Sequence, residues 1–156
     1  MGRNKERIHL MAFAEKTKVS VDQSRAEVEK TLLRYGAKSF AYFTETRSGA
    51  GDAGELAVIM FEAGDRRIRF DLTMPMPSGS KDRDAQVRRQ RWRALLLCIK
   101  AKLESVASKI ETFEEAFLAH VVMPDGSTVG AHTKNIIARS YEDGSMQPLL
   151  PAPSKP

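Results

Sequence analysis

The stretch DRDAQVRRQRWRALLLCIKAKLESVASKI, Asp82 to Ile110, decides how the chain is read. Trp92, Leu96, Ile99, Leu103, Val106 and Ile110 recur at spacings of four, three, four, three and four. That is the period of a helix with one buried stripe. At about 100° per residue, Arg89, Arg93 and Lys100 fall on one flank of the stripe, and Arg91, Lys102 and Lys109 on the other. The back carries Ala94, Leu97, Ala101, Ser105 and Ser108, mostly small, so a second subunit could approach closely there. The spacing predicts a central helix packed on a sheet and edged with cations.

Outward from that helix, three strands precede it. Arg66 to Met74 alternates: Ile68, Phe70, Leu72 and Met74 point one way, toward the helix, and Arg67, Arg69, Asp71 and Thr73 the other. Arg67 and Arg69 are therefore expected on the open face of the sheet or at its rim. Gly64-Asp65 has the length and chemistry of a two-residue hairpin turn. Glu55 to Ala63 is apolar almost throughout, so it reads as the central strand, covered in part on both faces. Lys38 to Thr46 reads as the first strand, and Arg47 to Gly54 has loop composition. Met74 to Ser80, MPMPSGS, breaks the pattern before the central helix.

Ser20 to Tyr35 reads as the first helix, with Ser20 and Gln23 at capping-box spacing, Gly36 as its stop, and Val21, Val28, Leu32 and Tyr35 as its apolar face. Past the central helix, Thr112 to Ala119 reads as a short helix with Glu115 three residues after Thr112. Val121 to Val129 reads as a small hairpin around Pro124-Asp125-Gly126, and Thr133 to Tyr141 as a weak helix ending near Gly144. The expected class is α+β: helix, three-stranded antiparallel sheet, long amphipathic helix on the sheet, small C-terminal additions. The expected organisation is a basic arm over residues 1–19 (Arg3, Lys5, Arg7), one domain over 20–144 and a proline-rich tail over 145–156. The tail is expected to be disordered or to fold back onto its own domain, the alternative being that Leu149 and Leu150 dock on a neighbouring subunit.

At 156 residues and 42% hydrophobic, the chain suits one domain with an ordinary core. Its net charge of +5 favours an anionic partner. Cys98, the one cysteine, is expected to be a buried thiol acting as a small hydrophobe. No apolar run approaches the ~18 residues that span a bilayer, and the start has no uninterrupted apolar core, so no signal peptide or membrane partner is expected. The expected location is cytoplasmic.

No motif announces catalysis. His9, His120 and His132 share no metal-ligand spacing, so no metal and no cofactor is expected. Glu62 and Asp71 would serve as paired carboxylates only if they faced each other across the hairpin, and solvated or ion-paired roles suit them better. The basic constellation is the stronger signal: arginine predominates around the third strand and the start of the central helix, which suits forked contact with phosphate and stacking on bases. The candidate nucleic-acid-binding residues are Arg47, Arg67, Arg69, Arg88, Arg89, Arg91, Arg93 and Lys100. Six phosphate contacts to a single strand would give a salt slope of about −4. Trp92 lies on the apolar stripe and reads as core rather than as a base-stacking platform.

The runs SRAEVEKTLLRYGA, RRIRFDLTMP, RQRWRALLLCIKAKLESV and TFEEAFLAHVVMPDGSTVG, with the ending PLLP, resemble a family of small, uncharacterised phage and prophage proteins. The resemblance spans Val19 to Pro151 and implies a phage context in a host cytoplasm, with no catalytic residues. In element order the chain is also similar to the Rad52-like single-strand annealing proteins, whose subunits form rings or filaments around nucleic acid in a basic groove. Double-stranded-RNA-binding domains share that order, but their second helix opens on a lysine-rich signature where this chain has RRQRWR. The resemblance implies a non-enzymatic, homo-oligomeric protein that binds single-stranded DNA in recombination or replication. A second expectation, of another class, is a phage protein that binds and inhibits or redirects a host protein.

Overall fold

The computed structural model describes residues 12–47 and 54–150. The basic cluster at Arg3, Lys5 and Arg7, most of the glycine-rich loop, and the last six residues lie outside them. The elements run α1 (Val21–Arg34), β1 (Ser39–Arg47), β2 (Gly54–Ala63), β3 (Arg66–Met74), α2 (Lys81–Ala107), α3 (Phe113–Phe117), a 3-10 turn (Leu118–His120) and α4 (Val129–Asp143). The fold is α+β, with a three-stranded antiparallel sheet ordered β1-β2-β3 and the long helix α2 packed on it.

Register decides what meets the helices. Ser39 lies opposite Glu62 and Arg47 opposite Gly54; Glu55 lies opposite Met74 and Ala63 opposite Arg66. Opposed residues share a face, so Ala57, Ile59 and Phe61 stand with Ile68, Phe70 and Met74 on one side. Val28 and Leu32 of α1 and Trp92, Leu95, Leu96, Ile99 and Leu103 of α2 close over them. Leu96, Ile99 and Phe61 are at most 1% exposed, and each such burial contributes about 1.5–3 kcal/mol. The turn between β2 and β3 is Gly64-Asp65, with Gly64 at φ +59°, a conformation that costs a Cβ-bearing residue energy.

Local chemistry sets the helix ends. Ser20 accepts from the Gln23 amide at 3.1 Å and Gln23 returns the bond to the Ser20 amide, a complete capping box. Ser80 caps α2, and Asp84 reaches back to the Ser78 amide at 2.9 Å. That bond, with the Ser78 hydroxyl, holds the Asp84 carboxyl below its ordinary range. α2 stops sooner than its apolar period does. Ile110 N–H donates to Ser105 O and Lys109 N–H to Val106 O, the Schellman pattern, with Lys109 left-handed at φ +59°. The reversal throws Ile110 out of the stripe to 77% exposure, correcting its placement as a core position. Glycine suits that geometry better, so Lys109→Gly should raise stability by about 1 kcal/mol in urea unfolding.

One further expectation is corrected. Cys98 is exposed rather than buried: the run ALLLCIK is wider than the stripe, and a residue two places past Leu96 sits about 200° round the helix from it. β2 is the central strand and is covered in part on both faces, as its apolar run predicts: Leu56 and Val58, on the face away from α2, are 1% and 0% exposed.

Beyond α2, Thr112 and Glu115 form the expected capping box of α3. Val121 bridges to Ile68 and the Val122 amide donates to Arg67 O at 2.9 Å, so the chain covers part of the outer edge of β3. Val122 pairs with Thr128 around the Pro124-Asp125-Gly126 turn. α4 starts at Val129, four residues before the expected Thr133, because Thr128 accepts from the Ala131 amide and caps it there. Gly144, at φ +69°, ends it. Among the described residues no helix is long and apolar enough to cross a membrane.

Candidate nucleic-acid interface

The eight candidate cations do not share one surface. Arg67 and Arg69 point away from α2, and Arg47 lies toward the opposite end of that same face. Arg88, Arg89, Arg91, Arg93 and Lys100 belong to the helix that covers the other side. Five of the eight are held by carboxylates. Arg67 pairs with Glu62 at 3.3 Å, Arg69 with Asp71 at 2.6 Å, Arg88 with both oxygens of Glu55 at 2.7 and 2.9 Å, and Arg93 with Glu27 at 3.1 Å; Lys100 also holds Glu27. The Lys100 bond keeps the Glu27 carboxyl below its ordinary range, and the Arg88 bond does the same for Glu55. Each exposed pair adds only about 0–1 kcal/mol of stability, but a phosphate must displace the carboxylate to use its cation. Glu62 and Asp71 turn to separate arginines and do not face each other, which removes them as a carboxylate pair.

A second group of cations lies along the two chain segments that Gln86 joins. Its side-chain amide donates to the carbonyls of Glu15 and Thr17, both at 3.0 Å, tying the segment before α1 to the flank of α2. Its oxygen accepts from Arg89 Nε and Nη2 at 3.2 and 2.6 Å. Lys16 and Lys18, both exposed, flank Thr17 in the segment that Gln86 ties to the flank of α2. Arg83, also exposed, lies about 60° round α2 from Gln86. None of these four has an ion-pair partner among the described residues. Glu15 and Asp82 lie close by along the chain and offset part of the charge. Arg91 is about 140° from Gln86, on the far side of the helix. Trp92 is 4% exposed and meets Tyr42 edge-on at 6.1 Å, so it is core and no base reaches it.

Reading the sequence missed Gln86, Lys16 and Lys18. Two lysines in a leader carry no periodic signal; only the 69- and 71-residue contacts made by Gln86 bring them to the helix. Arg83 lies in the basic run at the start of the central helix but was not among the candidates.

Three other groupings complete the chemistry. The β2–β3 turn and the 122–126 turn enclose a groove of about 590 Å³ bordered by Lys38, Arg66 and Arg67, with Glu62 and Asp65 among them. His132 Nε2 lies 2.6 Å from Ser127 Oγ and 3.1 Å from Asp125 Oδ2. A hydrolytic triad needs the carboxylate on the ring nitrogen opposite the serine; here one nitrogen meets both, so the cluster braces the turn against α4. Ser127 and His132 hold the Asp125 carboxyl below its ordinary range. Among the described residues no cluster of histidine, cysteine and carboxylates could hold a metal.

His120 stacks on Phe70 at 3.9 Å. Burial pushes its imidazole below the ordinary value, and Lys102 adds to the shift against a hydrogen bond to the Arg69 backbone. The unfolded chain therefore takes up this proton first. The stabilising contribution is complete above about pH 6.5, the unfolded value, and is lost as pH falls below it. The melting temperature should fall between pH 7.5 and 5, and His120→Phe, which keeps the stack, should flatten that fall.

Comparison of the chain with protein-family models, with curated proteins and with solved structures found no match in any of the three.

Proposed function

We propose that this is a non-enzymatic phage protein that binds single-stranded DNA in recombination or replication, through the ridge formed by Lys16, Lys18, Arg83 and Arg89. The observation that carries the reading is the Gln86 tie, which brings a lysine-bearing segment to the flank of α2 that carries Arg89, with no ion pair on these four cations among the described residues. Arginine supplies planar forks for phosphate and lysine supplies point charge. Four contacts to a single strand give a salt slope of roughly −3, shallower than the six-contact value. Fluorescence anisotropy with labelled single-stranded and duplex DNA across a salt series tests this. Micromolar binding, tighter to the single strand and with that slope, is expected; no binding at about 50 mM salt, where phosphate contacts are strongest, overturns it.

A second reading, a partner protein of the host, is favoured by a different surface. Tyr141 and Met146 at the end of α4 are 89% and 93% exposed, near Leu149 and Leu150, and exposed apolar groups of this size mark contact surfaces when they cluster. A complex lost on Tyr141→Ser with Met146→Ser, and untouched by the ridge variants, would establish it.

A further inference from the structure

We propose that β1 pairs, edge to edge and antiparallel, with β1 of a second copy of this chain, joining two three-stranded sheets into one of six strands. The inference stands apart from the nucleic-acid reading. It rests on how differently the sheet treats its two edges. The β3 edge is covered in part by Val121 and by the Val122 amide on Arg67 O. The β1 edge has no strand beside it among the described residues. Unpaired edges are ordinarily blunted by charged side chains, lysine above all, by proline, bulges or shortness, or by a covering helix or loop. β1 has no lysine, proline or bulge: its nine residues pair with β2 in unbroken register, and its two charges, Glu45 and Arg47, both lie in its last three residues. Eight of the nine are exposed, with Tyr42 at 39% and Phe43 at 47%.

The occupant is a second copy because the strand is complementary to itself. A twofold, full-length overlap of Ser39–Arg47 places Phe43 opposite Phe43 of the other copy. Phe43 lies opposite the buried Val58, so the joint continues one apolar row from Val58 through both Phe43 rings to the other Val58. In the same register Glu45 faces Ala41 and Arg47 faces Ser39, so no like charges oppose. A slip that centres the axis on Glu45 sets two carboxylates face to face, which is unfavourable. The sequence pattern had pointed to the small-residue back of α2 for a subunit contact; that face offers no unpaired backbone.

Light scattering on the full chain at tens of micromolar reads the mass, expected at twice 17.4 kDa. Phe43→Lys sets two ammonium groups against each other and should return the mass to a single chain with unchanged far-ultraviolet circular dichroism. In a Cys98→Ser background, Phe43→Cys should form a symmetric disulfide between copies, which keeps the proposal testable if the lysine variant misfolds. A single-chain mass for the unaltered protein overturns the proposal. So does a dimer that survives Phe43→Lys, which would place the contact elsewhere. Protection of the β1 amides from hydrogen exchange in a single-chain species would also overturn it, by showing that another part of the chain occupies the edge.

Discussion

Reversing Arg83 and Arg89 to glutamate together should weaken binding to single-stranded DNA by about 100-fold or more at low salt, from two lost phosphate contacts and two new repulsions. The salt slope should fall by about 1.4. The same reversal at Arg67 and Arg69 should change affinity by less than about threefold. Those two arginines already hold Glu62 and Asp71 and point away from α2. The contrast matters more than either number, because both double variants change net charge equally. Equal losses would mean that the protein attracts DNA through its overall charge and has no built surface. The ridge residues are exposed or half-buried, so circular dichroism should show both variants folded. Reversal at Arg88 is a poorer choice, since it strips the bidentate partner from Glu55 at the start of β2.

Phe117→Ala should cost about 3–5 kcal/mol in urea or thermal unfolding, the range for emptying a buried aromatic site. Phe117 is fully buried although it belongs to a helix of five residues. Its ring meets Phe61 edge-on at 5.9 Å and Phe70 edge-on at 6.3 Å, and stacks on Phe113 at 4.7 Å. Lys102 approaches the same ring at 5.7 Å and donates to Ala116 O at 2.6 Å, which fixes α3 against α2. Isolated helices that short do not hold together in water. α3 is therefore held by Phe117, by the Lys102 bond to Ala116 O and by its capping box. A cost below about 1 kcal/mol would show that α3 is not part of the core.

These two expectations separate what the sequence made legible from what it did not. The clean alternation of Ile68, Phe70, Leu72 and Met74 against Arg67, Arg69, Asp71 and Thr73 assigned both faces of β3. Gly64-Asp65 fixed the register, and Ser20, Gln23, Thr112 and Glu115 gave two helix starts through bonds three residues apart. Each of these signals is local. The misses are not. Ile110 keeps the apolar period but follows a left-handed residue, and a lysine there gives no warning that glycine would have given. Cys98 lies in an apolar run whose width exceeds the stripe. At the candidate interface, residue type was legible and availability was not. The carboxylates that claim Arg88, Arg93 and Lys100 come from Glu55 and Glu27, between 33 and 73 residues away in the chain.

The most direct measurement is amide chemical-shift mapping of the folded chain titrated with a short oligothymidylate at low salt. The expected result is perturbation confined to Lys16–Lys18 and to Arg83–Arg89, with the β3 amides of Arg67, Arg69 and Asp71 unmoved. Shifts centred on β3, or no shifts at saturating oligonucleotide, would contradict a nucleic-acid surface at the Gln86 ridge.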